Sequence, residues 1–243
     1  TDNTVDLLKN WINPRNGVLL TRRYHQEKWG SLPSIKRTKL LAKYRNECLK
    51  QIKGITYDYL FVVDSDIYYD YVLVQEMIKN LNNSPTIGMI TANTIQNIPD
   101  AYSQSNGHSY FDCWALKDIH NNDALCFSAN PFLRAEDRNL WNNNKKVIVH
   151  SAFGGAALIR GSLIRDNNLK WNGEKGCEHW YLCRSIRQLN YSIVVDPNLK
   201  AEVRHKHKII YDKLQIIYDK ARLKFYTKQT LKNSSLQIKI LKV

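Results

Sequence analysis

Tyr59-Leu60-Phe61-Val62-Val63 is a run of apolar and β-branched residues that stops at Asp64-Ser65-Asp66. Such a run, ending abruptly in carboxylates, predicts a buried strand of an α/β sheet with its acids at the carboxyl end. Ligands of open α/β sheets bind along that edge. Two aspartates one residue apart can share a hard divalent cation there, and the cation can hold a diphosphate by its oxygens. A lone D-x-D is also a common acidic turn, so the flanking segments decide between the two.

The 243 residues suit one large α/β domain, or a domain with a modest appendage. A hydrophobic share of 43% with 6 tryptophans predicts a folded, enzyme-like body rather than disorder. The formal net charge of +14 favours anionic partners such as nucleotides, nucleic acid or a membrane surface. The five cysteines, Cys48, Cys113, Cys126, Cys177 and Cys183, show no C-x-x-C spacing. Their odd number and spacing indicate neither a zinc site nor a complete disulfide framework, and a reducing compartment is favoured. No apolar run approaches the ~20 residues that span a bilayer, and no signal peptide opens the chain. The expected location is therefore cytoplasmic or membrane-associated.

Along the chain, residues 1–13 read as a capped amphipathic helix and Val18 to Thr21 as a short strand. A helix from Ser34 to about Gln51 should bury Ile35, Leu40, Leu41, Tyr44, Cys48 and Leu49. After the central strand, Asp70 caps a helix carrying Val74, Met77, Ile78 and Leu81, and Ile87 to Thr91 forms the next strand. This alternation implies parallel crossovers. A doubly wound domain usually opens with a strand, whereas this chain opens with a helix, so the first strand is expected to be missing from it. Residues 94–146 interrupt the rhythm with a long polar segment. Its Tyr110-Phe111-Asp112-Cys113-Trp114 predicts an ordered binding region. Sheet material follows at Val147 to Val149 and Gly154 to Ile159, separated by Ser151-Ala152-Phe153-Gly154-Gly155. Those glycines allow close backbone approach to a ligand, and tight packing would explain them too. Cys177-Glu178-His179 leads into a helix, Tyr191 to Val195 forms a strand closed by Asp196-Pro197, and a basic helical stretch ends the chain.

Six segments occur in a telling order: Lys43-Tyr44-Arg45-Asn46, Phe61 to Asp66, Tyr110 to Trp114, Phe153 to Ala157, Cys177-Glu178-His179, and His205. In this order the chain resembles a GT-A-type glycosyltransferase, nearest in pattern to the fungal capsule-associated mannosyltransferases and similar viral and bacterial transferase domains. The resemblance implies a Rossmann-like mixed sheet flanked by helices, with a transferase domain at 1–207 and a basic helical extension at 208–243. It implies a nucleoside-diphosphate sugar donor (UDP- or GDP-sugar) and a glycan or glycoconjugate acceptor. In such enzymes the second acid, here Asp66, ligates Mn²⁺ or Mg²⁺ directly, while Asp64 reaches the ribose or a metal-bound water. Ser65 lies between them on the donor side. His205 stands where a third ligand is expected, with His207 as the competing choice, and a mixed Asp/His set suits Mn²⁺ slightly better. Arg37, Lys43 and Arg45 are candidates for neutralising the diphosphate, Arg45 foremost, with Asn46 bonding donor hydroxyls or backbone. Gly154 and Gly155 would admit the donor closely. Glu178 stands at the family-like position of the acceptor-side base, and Asp112, among aromatics suited to sugar faces, is the other acid. A helix-capping role explains Glu178 as well, and Asp2-Asn3-Thr4 reads either as a helix cap or as the remainder of a nucleotide-binding segment.

Three other readings stand beside this one. A haloacid-dehalogenase-type phosphohydrolase expects Thr or Val where the chain has Tyr68, two residues after the second acid, so its own motif fails. Nucleic-acid binding accounts for the positive charge but not for the acidic pair. A transferase-like module that binds sugar or nucleotide without turnover accounts for the motifs. The basic terminal helix would pack on the domain, meet a partner, or contact a membrane peripherally.

Overall fold

The predicted strand is β1 (Tyr59–Val63) of a computed structural model that describes residues 3–15, 17–21, 34–102, 108–203, 216–224 and 226. The chain divides into two units, one drawn from residues 1–55 and 171–178, the other from 56–170 and 179–243.

The second unit is built on a mixed sheet of eight strands among the described residues. Besides β1 these are β2 (Ile67–Tyr68), β3 (Ile87–Pro99), β4 (His108–Tyr110), β5 (Lys117–Asp118), β6 (Val147–Ser151), β7 (Ala156–Arg160) and β8 (Ser192–Val203). Its order is β1-β7-β3-β8-β6-β5, with β2 added on β8 and β4 on β3. Strands β1 and β3 both run antiparallel to β7, so they are parallel to each other with β7 between them. Strands β3 and β8 pair in parallel at the centre. The helix between β1 and β3, α3 (Tyr71–Asn82), starts where the sequence predicts: the Asp70 carboxylate accepts the Val72 N–H at 3.0 Å. Its Leu73, Met77 and Leu81 recur at i, i+4 and i+8 and form one core cluster with Ile90, Ala92, Leu158 and Val194 of the sheet. A register shift between Ile87 and Met89 lets Ile87 join the same cluster. A Cβ on Gly88 would instead meet Leu163 of α5 (Gly161–Asn167) and Ile186 of α6 (Glu178–Gln188), which places those helices on the opposite face. The fold class is thus a mixed α/β sheet flanked by helices.

Both central strands run further than the sequence indicates. β8 passes through Asp196-Pro197 rather than ending there: the register steps from Thr91↔Val195 to Asn93↔Lys200, so the proline lies in a bulge outside the ladder. Asn93 Nδ2 donates to the Pro197 carbonyl across this bulge at 3.1 Å. The segment expected to be ordered between 94 and 146 contains the end of β3, β4, β5 and α4 (Ala135–Asn142). It also holds a disulfide between Cys113 and Cys126, with Cα atoms 5.4 Å apart. Cys48, Cys177 and Cys183 are free, so the cysteines form no complete disulfide framework, as expected, while the one pairing goes against the expectation of a reducing compartment. The partners meet through the loop's tertiary path, which spacing does not reveal.

The first unit contains α1 (Thr4–Ile12) and α2 (Ile35–Gln51). Two expectations are corrected here. Residues 17–21 form no strand, because among the described residues they have no ladder partner. In α2 the buried residues are Thr38 and Ala42, while Ile35 is 46% exposed and Cys48 is exposed. The packed face is set by hydrogen bonding to residues 171–178: the Thr38 hydroxyl donates to the Gly173 carbonyl at 2.7 Å.

Candidate functional site

At the carboxyl end of β1 the chain leaves the sheet as a tight turn. Asp64 N–H donates to the Gly155 carbonyl at 2.9 Å, and Ile67 N–H returns to the Asp64 carbonyl at 3.2 Å. β2 then pairs with the end of β8, Ile67 with Val203 and Tyr68 with Glu202. The acidic turn is therefore held at both ends, with Asp64 half-buried and Ser65 and Asp66 exposed to solvent. Carboxylates in such a turn are hard oxygen donors suited to Mg²⁺ or Mn²⁺. Among the described residues no group of three His, Cys, Asp or Glu side chains is placed to hold a metal. His205 and His207 lie outside the described residues.

Gly154 and Gly155 form the turn into β7 with φ of +63° and +69°. A Cβ at Gly154 would collide with the Ala92 carbonyl oxygen, and one at Gly155 would lie 2.5 Å from Ile67 Cδ1. Left-handed backbone and absent side chains are both required here. The pair joins two of the predicted site segments. Gly155 accepts from Asp64, and Gly154 N–H donates to Asp112 Oδ2 at 3.2 Å. Asp112 Oδ1 also accepts the Ala115 N–H at 3.3 Å, so its carboxylate ties its own loop to the glycine turn. The Thr94 hydroxyl donates to the Gly154 carbonyl.

The aromatic segment is fastened around this point. Tyr110 N–H donates to Ser128 O at 2.8 Å and Phe111 N–H to Thr94 O at 2.9 Å. The Tyr110 phenol is buried, and burial first, then the Asp112 charge, raises its pKa well above the usual value. Trp114 meets Trp180 edge-on at 6.4 Å, and Lys117 Nζ lies 4.2 Å from the Trp180 ring centre. His179 stacks on Phe153 with centroids 3.8 Å apart. Sequence reasoning left His179 without a role; aromatic stacking under the glycine turn supplies one.

In the first unit, Arg45 and Glu178 are partners. Arg45 Nη2 lies 3.5 Å from Glu178 Oε1, with side chains 15% and 4% exposed. Cys177 Sγ is 3.9 Å from Glu178 Oε2. Asn46 exchanges two hydrogen bonds with the Trp171 backbone, at 2.9 and 3.0 Å, so its amide serves backbone. Arg37 is half-buried and Lys43 exposed on the same helix. The structure thus brings Arg45 to Glu178 in one unit, and Asp64, Gly154, Gly155 and Asp112 together in the other. Sequence reasoning missed Thr94 and the Cys113–Cys126 pair; hydroxyls and thiols of this kind give no periodic signal.

No protein-family model matches the chain, and no curated protein matches it. Among solved structures the chain is similar to the mannosyltransferase PcManGT from Pyrobaculum calidifontis in complex with GDP-Man and Mn²⁺. The identity is 14%, over 88% of this chain and 46% of that one, with a TM-score of 0.44. It is also similar to S. aureus TarS 1-349 in complex with UDP-GlcNAc, at 17% identity over 85% of this chain and 48% of that one, TM-score 0.45. The chain spans about half the length of either solved chain.

Proposed function

We propose that the chain forms the catalytic body of a metal-dependent glycosyltransferase. The reaction moves a hexose or deoxyhexose from a nucleoside diphosphate to a glycan or glycoconjugate. We assign that body to 1–207, with 208–243 as a basic helical extension packed on it or facing a partner or membrane. The observation that carries the reading is the joint at Gly154-Gly155. It ties the Asp64–Asp66 turn at the carboxyl end of β1 to the aromatic segment around Asp112.

In this reading Asp64 and Asp66 would hold Mn²⁺ or Mg²⁺, with His205 as third ligand. His205 follows Val203 by two residues, and Val203 pairs with Ile67, the neighbour of Asp66. When bound, the ion neutralises charge on the leaving diphosphate. Ser65 and the exposed turn meet the donor, while Gly154 and Gly155, packed against the Ala92 carbonyl and Ile67, hold that turn in place. Asp112 holds the glycine turn in place, and the neighbouring rings face the acceptor. The overall positive charge draws a diphosphate donor toward the molecule.

A second reading, a binding module without turnover, is favoured by one observation. Glu178, the acceptor-side base in the resemblance, is engaged by Arg45. Thermal shift with UDP-, GDP- and dTDP-sugars, with and without Mn²⁺, tests the site. A cognate nucleotide at about ten times its Kd is expected to raise Tm by about 4 °C, and only with metal. No stabilisation by any nucleotide, or the same stabilisation in Asp66→Ala, removes the metal-site assignment. Stabilisation without sugar transfer or donor hydrolysis selects the module.

A further inference from the structure

The helix 216–224 carries an acid where its sequence offers no reason for one to be buried. Ile217 and Tyr218 are 64% and 60% exposed, whereas Asp219 is fully buried. Its carboxylate points into the loop that follows β5. Oδ2 accepts the Cys126 N–H at 3.1 Å and the Tyr102 hydroxyl at 3.4 Å. Oδ1 is paired with Arg222 Nη1 at 2.9 Å. Arg222 Nη2 in turn donates to the Asp123 carbonyl at 2.7 Å, and the Tyr226 hydroxyl donates to Asn122 Oδ1 at 2.7 Å. This helix and Tyr226 beyond it therefore grip residues 122, 123 and 126 and reach back to 102. A buried carboxylate is tolerated only with such partners. Burial and the Asp219 charge, in that order, raise the Tyr102 pKa, so that phenol stays a donor.

What Asp219 holds is covalently joined to the site. Cys126 is bonded to Cys113, the residue after Asp112, and Asp112 receives the Gly154 N–H. We propose that Asp219 is a positioning residue: through Cys126 and the disulfide it fixes the Asp112 segment, and with it the acceptor side of the glycine turn. The terminal helix is thereby a working part of the acceptor site. This inference rests on the transferase reading for the word acceptor; the clamp itself rests on the geometry alone.

Hydrogen exchange and steady-state kinetics on the whole chain test the two parts separately. In Asp219→Ala, amides between residues 111 and 126 should exchange about tenfold faster, while those of β3 and β8 keep their protection. With a competent donor–acceptor pair, the acceptor KM should rise about tenfold with donor KM within about twofold. Asp219→Asn, which keeps an acceptor for the Cys126 N–H, should recover most of both. Unchanged exchange at 111–126 overturns the clamp. Faster exchange with an unchanged acceptor KM, or equal changes in both KM values, overturns the positioning role. Should Asp219→Ala fail to fold, Arg222→Ala removes the tie to Asp123 and is read by the same criteria. A wild-type chain that neither binds nor turns over any nucleotide sugar defeats the transferase reading, and the exchange result still decides the clamp.

Discussion

Gly154 and Gly54 both have positive φ, +63° and +85°, but their surroundings differ. Around Gly54 no heavy atom lies within 4 Å of the missing Cβ, while at Gly154 the Ala92 carbonyl blocks it. Gly54→Ala should cost about 1 kcal/mol, the left-handed backbone penalty alone. Gly154→Ala should cost about 3 kcal/mol, because overpacking against backbone adds to that penalty. Denaturant melts of the two variants compare them directly. Equal losses would mean that the Gly154 turn shifts freely, and the joint between Asp64 and Asp112 would lose its rigidity. At this scale Asp112 and Glu178, both read from the sequence as acids for chemistry, have different surroundings. Asp112 accepts two backbone N–H groups, and Glu178 faces a guanidinium.

At the scale of elements, the segment 108–130 has little regular structure and is held by pairings instead. The disulfide closes a loop with a sequence separation of 13. Replacing both Cys113 and Cys126 by serine should cost about 3 kcal/mol in the chain-entropy account. Melts of this variant against the oxidised chain would show it, and reductant should lower Tm of the native chain but not of the variant. A second element contact is sensitive to pH. His150 Nδ1 of β6 lies 2.6 Å from Arg187 Nη1 of α6, which requires the ring nitrogen to accept. Burial first, then Arg187 and Lys117, lower the His150 pKa below its usual 6.5. Folding thus favours neutral imidazole. Below the unfolded pKa the unfolded chain binds the extra proton, so stability is present above about pH 6.5 and is lost as pH falls. His150→Gln should therefore shrink the drop in Tm between about pH 7.5 and about pH 5.5. An unchanged drop would assign the acid sensitivity to other groups.

For the whole molecule, the net charge of +14 is a long-range field that salt screens. In the transferase reading, nucleotide affinity measured by calorimetry should weaken several-fold between about 0.05 and about 0.5 M salt, as the Debye length contracts from about 14 Å to about 4 Å. Affinity independent of salt would restrict recognition to short-range contacts. By itself the sequence determined the elements whose signal is local. These include the apolar run ending at Asp64 and Asp66, the cap at Asp70, and the helical spacing of Met77, Ile78 and Leu81, to which the structure adds Leu73 in place of Val74 on the buried face. Each is set by periodicity or by a side chain reaching its own backbone. Tertiary structure alone decided who meets whom: Asp112 with Gly154, 42 residues away, Asn46 with Trp171, 125 away, and Asp219 with Cys126, 93 away. It also carried β8 through Pro197 and left residues 17–21 without a strand. A hydrogen-bond donor or a thiol has the same local signature whatever its partner. Only the tertiary fold, by fixing which segments lie side by side, selects the pairs.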